Sequence, residues 1–302
     1  MGILLGLVAA LAWGISDFSA RFVSRRIGTY RTMFFMQGLG LGILTIGMRP
    51  LNGWGHLTDG SGWQPWAWGI LAGCCNMVAT LALYRSFEIG KLAIVAPISA
   101  SYPVLTVLLA MASGETLTIW RATGVTATIA GVILLSFGNS AEAEDPTGVN
   151  AGQFAEMEPQ QTGRWPRGVA WAVVSALGFG VLFWLLGIRV VPRVGSTAAV
   201  WMIRLTSFSV VGLLAAPLRQ SLNPTMGRTW WILLMMAVLD TGAFVANNFG
   251  DTTEQVAVVS VLVSLYGAVT VALAALFLRE RITRWQWPGI VLIFAGIALI
   301  SH

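Results

Sequence analysis

The chain is poor in charge, and that scarcity decides its class. Of 302 residues, 18 are Lys or Arg and 13 are Asp or Glu, 10% in all, where a soluble globular domain carries about 25%. Lys91 is the sole lysine and follows "EIG". There is thus no GxxxxGK sequence to cradle a phosphate, and ATP hydrolysis is not expected. His56 and His302 are the two histidines, one in a polar stretch and one at the C-terminus. That leaves no Ser/His/Asp arrangement within the apolar regions. Cys74 and Cys75 are adjacent inside an apolar run, which gives neither a disulfide framework nor metal-ligand spacing. The formal charge of +5 is spread in ones and twos between apolar runs, with no continuous basic groove for nucleic acid. No enzyme activity, cofactor, metal or nucleic-acid partner is expected.

What the chain has instead is 56% hydrophobic residues and a mean hydropathy of +0.74. Apolar runs of nearly 20 residues recur along it, long enough to cross about 30 Å of hydrocarbon as helices. They are continuously apolar rather than alternating, which excludes a membrane β-barrel. Ten spans are expected, over 2–21, 31–48, 64–84, 92–112, 118–138, 168–188, 197–217, 229–249, 255–277 and 285–301. The opening "MGILLGLVAALAWGISDF" lacks a basic leader and reads as the first span rather than a cleaved signal. Lipid is the expected surroundings.

The one long polar stretch, 139–167, holds Pro, Gly and acidic residues and reads as a linker between halves at 1–138 and 168–302. Gaps and flanks after odd-numbered spans hold thirteen Arg or Lys against four after even-numbered ones. That bias puts the odd connections in the cytoplasm and both termini outside.

The two halves repeat one plan. Tyr102 matches Tyr266, and 165 residues separate the members of four further pairs: Glu115 and Glu280, Trp120 and Trp285, Gly124 and Gly289, Gly131 and Gly296. "AWG" at 12–14 faces "GFG" at 178–180. Five spans is an odd number, so the second copy enters the membrane from the opposite face. Such inverted halves rock about a midplane site in alternating-access carriers. A channel, a membrane enzyme or a scaffold or sensor without flux remains open on the repeat alone.

These residues resemble the drug/metabolite transporter superfamily, specifically its EamA-type members. The likeness covers nearly the whole chain outside 139–167. It implies an all-α polytopic membrane protein of ten transmembrane helices as two inverted five-helix EamA repeats. It also implies inner-membrane export of small metabolites, amino acids including aromatic ones first, with a multidrug or other metabolite carrier as the alternative. Oligomerisation is not required, since one chain carries both repeats. The resemblance further implies cavity-lining roles for the first helix of each repeat, at Trp13, Gly14 and Asp17, then Phe179, Gly180 and Trp184. The fourth helices would contribute Pro97, Ser99, Tyr102 and Pro103, then Ser260, Ser264 and Tyr266. Gly267 stands where the first copy has Pro103, so the halves are expected to bend unequally.

Polar residues inside apolar spans point to the same cavity, because an ionisable group near the bilayer centre costs at least about 2.5 kcal/mol and faces protein, water or substrate. Asp240 reads as a substrate-ammonium or proton site, or as a brace between helices. Asp17 has Arg21 one turn on as a ready partner. Arg204 would either snorkel toward its helix end or grip a substrate carboxylate. Asn76, Asn247, Asn248, Tyr84 and Tyr102 offer hydrogen bonds to substrate or to helices. Of 14 Trp, most lie near span ends as interfacial anchors, whereas Trp13, Trp171, Trp184 and Trp201 lie deeper.

Overall fold

A computed structural model describes residues 2–50, 53–54, 57, 62–114, 118–137, 166–224, 227–253, 263, 265–280, 282, 284 and 286–300. Side chains of 3, 135–137, 248–253 and 300 are outside that description. The described residues form helices. In chain order they are α1 (Gly2–Ile27), α2 (Thr29–Met48), α3 (Gln64–Ile89), α4 (Leu92–Ala100), α5 (Pro103–Ala112), α6 (Ile119–Phe137), α7 (Val169–Leu185), α8 (Val191–Val194), α9 (Ser196–Ala215), α10 (Arg228–Thr253), α11 (Tyr266–Phe277) and α12 (Gln286–Ile300). Among the described residues, six stretches are long and apolar enough to cross a membrane: 4–27, 64–89, 92–112, 169–194, 196–215 and 228–247. The protein is an all-α, polytopic membrane protein.

The helices begin and end for local reasons. α1 runs six residues beyond the expected span, with Arg25 and Arg26 in its last turn, where cations oppose the negative end of the macrodipole. Gly28 then turns the chain at φ 85°, ψ 151°, and Gly195 does the same before α9 at φ 75°, ψ 164°. Residues with a Cβ rarely enter that region. Span 92–112 is interrupted: Ser101 and Tyr102 form a turn, and Pro103 opens α5, where its missing N–H is no loss. Between α7 and α8, Leu186–Val190 is a π-helical turn followed by Pro192. A proline cannot donate to the carbonyl four residues back, and the widened turn accommodates that lost bond.

Packing places the halves face to face. α1 lies on α10 and α3 on α7, α2 packs against α9, and α6 against α12. The α6–α12 crossing is set by glycine. A Cβ on Gly131 would stand 2.7 Å from the Gly289 carbonyl oxygen, and one on Gly296 would stand 2.6 Å from that of Gly124. Backbones approach this closely only where side chains are missing, the usual device for helix association in lipid. Elsewhere the same logic holds Gly14 against Val269 and Gly180 against Leu105.

The two ends of the bundle differ. Every residue of α4 is buried, whereas no residue of α5 is. At the α4 end Arg21 forms an ion pair with Glu280 at 3.1 Å, not aligned as a hydrogen bond, and donates to the Gly90 carbonyl. Glu280 also accepts the Ala93 N–H at 3.0 Å, and Arg25 donates to the Glu88 carbonyl at 2.9 Å. These contacts tie α1 and the α3–α4 and α11–α12 corners together at the Arg-rich end.

Candidate functional site

The central cavity lies where α1, α2, α3, α7, α9, α10 and the starts of α5 and α11 meet. It measures about 70 Å³ within roughly 600 Å³ of unfilled space. One part of its wall is polar, formed by Asp17, Gln37, Asn76, Tyr84, Arg204, Asp240 and Tyr266; another is aromatic, formed by Trp13, Tyr102, Phe179, Phe183 and Phe244. Met36, Thr80 and Leu83 complete it.

The polar groups fall into two sets, those already satisfied and those left open. Arg204 is 2% exposed and does not snorkel. Its guanidinium pairs with Asp240 and donates to Gln37 Oε1 at 2.8 Å. Gly40 makes that possible, since a Cβ there would crowd Arg204 Nε at 3.2 Å. Trp13 Nε1 donates to the other Asp240 oxygen at 3.0 Å, and the Phe244 ring lies 5.5 Å from the guanidinium carbon. Both charges are therefore neutralised and hydrogen-bonded, the condition under which a buried pair is tolerated. Asn76 donates to Ser207 at 3.1 Å, and Ser207 passes its own hydrogen to the Gly73 carbonyl at 3.0 Å.

Asp17 is different. The expected pair with Arg21 is not made, because the Arg21 guanidinium reaches the opposite way, to Glu280 and the Gly90 carbonyl. The Asp17 carboxylate, 9% exposed, lines the cavity and has no hydrogen bond or ion pair to any described residue. Tyr84 and Tyr266 line the same cavity, and their hydroxyls donate to no described residue. One open carboxylate and two open hydroxyls thus face an aromatic wall. Tyr102 stacks on Phe183 with centroids 4.7 Å apart, and Trp13 meets Phe244 edge-on at 5.0 Å. Such faces attract a cation or an aromatic solute.

Other expected lining residues lie elsewhere. Trp184 turns away from the cavity to donate to Ser113 at 3.0 Å, Trp201 donates to Thr45, and Trp171 is exposed on the outer surface. Of the four deeper tryptophans only Trp13 reaches the cavity. Ser99 and Pro97 are buried in α4 behind it, and Pro103, Gly14, Gly180 and Gly267 serve helix starts or close packing. Asn247 is partly buried outside the lining. Glu115, Trp285, Ser260, Ser264 and the linker residues 139–165 lie outside the described residues, as does the Asn248 side chain. Sequence reading missed Gln37, Phe183 and Phe244. Gln37 had a signal: it is a lone amide within the apolar run 31–48.

A polytopic helical bundle around a partly polar, aromatic-walled cavity is the build of a solute carrier. The chain belongs to the EamA-like transporter family, whose profile matches residues 1–137 and again 166–302. Members of that family are transporters, not enzymes. A solved crystal structure resembles the chain over 99% of its length and 95% of the other's, with a TM-score of 0.62 and 15% identity. At that identity the likeness speaks for the fold. Comparison with curated proteins gives no match.

Proposed function

We propose that the chain is an alternating-access exporter of small metabolites, amino acids first, in a bacterial inner membrane. The observation that carries this is the open Asp17 carboxylate beside Tyr84 and Tyr266 in an aromatic-walled cavity. A substrate ammonium would sit on Asp17 with help from the two hydroxyls, and an aromatic or aliphatic side chain would lie against Tyr102, Phe183 and Phe244. The residues expected from sequence at this site, Trp13, Asp17, Asn76, Tyr84, Tyr102, Arg204, Asp240 and Tyr266, would share that work. Arg204 and Asp240, joined to each other, act first as a brace.

Ten membrane helices in two inverted five-helix repeats, at 1–138 and 168–302 with 139–167 between, would supply the motion. Four pairings support it. α1 on α10 is the exchange partner of α7 on α3, and α2–α9 and α6–α12 each join matched helices. An in-plane two-fold axis relates such pairs. The tight contacts at the Arg-rich end, taken as cytoplasmic from the charge bias, would suit a state shut on that side.

In proteoliposomes the protein should exchange labelled tryptophan or leucine in preference to sugars and nucleotides. Asp17→Asn should cut exchange by about tenfold or more, the worth of one charge-assisted contact, without lowering thermal stability. Wild-type exchange by Asp17→Asn would remove the assignment. A second reading, a carrier of organic cations, has one observation in its favour. Arg204 is engaged by Asp240, so the open charge is negative. Tryptamine outcompeting tryptophan would select it, and no flux of either would favour a scaffold or sensor.

A further inference from the structure

A second cavity lies outside the transport site, at the Arg-rich end, and is the roomier at about 500 Å³. It is bounded by the α1–α2 corner, one face of α3, the start of α7 and Gln220. α3 therefore has two working faces. Asn76, Thr80 and Tyr84 point to the central cavity, whereas Val78, Leu81, Ala82, Arg85 and Glu88 point to this groove.

Its chemistry changes along its length. Val78 is 47% exposed, Trp171 45% and Val174 39%, and in a membrane-embedded helix such surface meets acyl chains rather than water. Seven residues, about 10 Å of helix, separate Val78 from Arg85 at the polar head. There Arg85 pairs with Glu88 at 3.0 Å, and Thr29 donates to the same Glu88 carboxylate at 2.6 Å. Arg31 donates to the Asn223 carbonyl, while its Nε is buried and donates to nothing among the described residues. The lining thus holds two guanidinium groups and one carboxylate that is already shared, so the head carries a net positive charge and an unused donor.

We infer that this groove binds one anionic phospholipid, its headgroup phosphate at Arg31 and Arg85 and one acyl chain along Val78, Leu81, Trp171 and Val174. A zwitterionic headgroup would bring a cation against the two arginines, and free phosphate would leave the apolar wall uncovered. The lining comes from both halves of the chain, α1–α3 from the first and α7 with Gln220 from the second. A bound lipid would therefore bridge them at the Arg-rich end.

The test is native mass spectrometry of the purified full chain in mixed micelles of phosphatidylglycerol and phosphatidylcholine. One phosphatidylglycerol should be retained in preference. Arg31→Gln with Arg85→Gln should reduce that preference by about tenfold or more, given the contribution of each cation near an anionic headgroup. Arg85 is half exposed, so Arg85→Gln alone, expected to lose about fivefold, carries the test if the double variant does not fold. Trp171→Phe should remove a separable share of fluorescence quenching by acyl-brominated phosphatidylglycerol. Equal retention of the two lipids, a preference untouched by Arg85→Gln, or displacement of the lipid by millimolar inorganic phosphate would each overturn the assignment.

Discussion

Two amides in the first half of the chain occupy the positions at which the second half has an ion pair. Gln37 is the ninth residue of α2 and Arg204 the ninth of α9; Asn76 is the thirteenth of α3 and Asp240 the thirteenth of α10. All four line one cavity. Had both copies kept their charges, two arginines and two aspartates would crowd a site of low dielectric, each needing its own partners. One charged copy and one neutral copy solve the problem: Gln37 completes Arg204, and Trp13, from the first half, completes Asp240. Duplication fixes the backbone, and the side chains are then free to divide the labour. The same holds at Gly40 and Ser207, each the twelfth residue of its helix. Gly40 yields space to Arg204, while Ser207 takes the Asn76 bond.

The sharpest way to break this comparison is to remove one charge. Arg204→Ala leaves Asp240, its side chain 13% exposed, with only the Trp13 hydrogen bond, and should destabilise the protein by about 3 kcal/mol. Removing both charges as Arg204→Gln with Asp240→Asn gives the second half the residues of the first. That double variant should recover most of the loss in a thermal unfolding series in detergent. If the single and double variants melt alike, the pair is not a unit and the halves are not interchangeable at these positions.

A smaller effect probes what the halves hold in common. Gly131→Ala and Gly296→Ala each drive a methyl group into a backbone carbonyl across the α6–α12 crossing. Each should cost about 1–3 kcal/mol, the usual range for overpacking. Gly296→Ala should cost more, because its Cβ also meets Thr128 Oγ1 at 2.2 Å. Loss from one variant and none from the other, read by the same melts, would mean the crossing is not shared between the two copies.

Much of this was legible in the sequence because it rests on periodic features. Long apolar runs, matched glycines and the matched tyrosines announce helices and their repetition. The described helices coincide with parts of all ten expected spans. What could not be read depends on which way a side chain turns. Arg21 is four residues from Asp17, yet it reaches Glu280, 259 residues on in the chain. Trp184 and Trp13 lie on matched helices, but one faces Ser113 and the other the cavity. Arg204 and Asp240 each had two readings in isolation, and their meeting is a fact of the α9–α10 arrangement alone.

The finest comparison concerns one hydroxyl in each half. Thr106 donates to the Gly180 carbonyl at 3.1 Å and lies 3.3 Å from its own-helix Tyr102 carbonyl; Thr270 lies 3.3 Å from the Gly14 carbonyl and 3.0 Å from that of Tyr266. The four carbonyls belong to matched positions, so the fold makes this arrangement twice. A hydroxyl has one hydrogen to give, and the distances divide it differently. In the first half the cross-helix acceptor is the nearer; in the second the hydrogen falls to its own helix. Thr106→Val should therefore loosen the α5–α7 contact by about 1 kcal/mol, the net worth of one hydrogen bond. Thr270→Val removes mainly a bond within α11, and should cost only a few tenths of a kcal/mol, because valine keeps the shape and the Tyr266 carbonyl still serves its helix. Burial argues the other way, since Thr270 is fully enclosed and Thr106 is not. The order of the two melting shifts decides between them. A larger loss from Thr270→Val would show that enclosure, rather than the direction of the hydrogen, sets the strength of the link in each half.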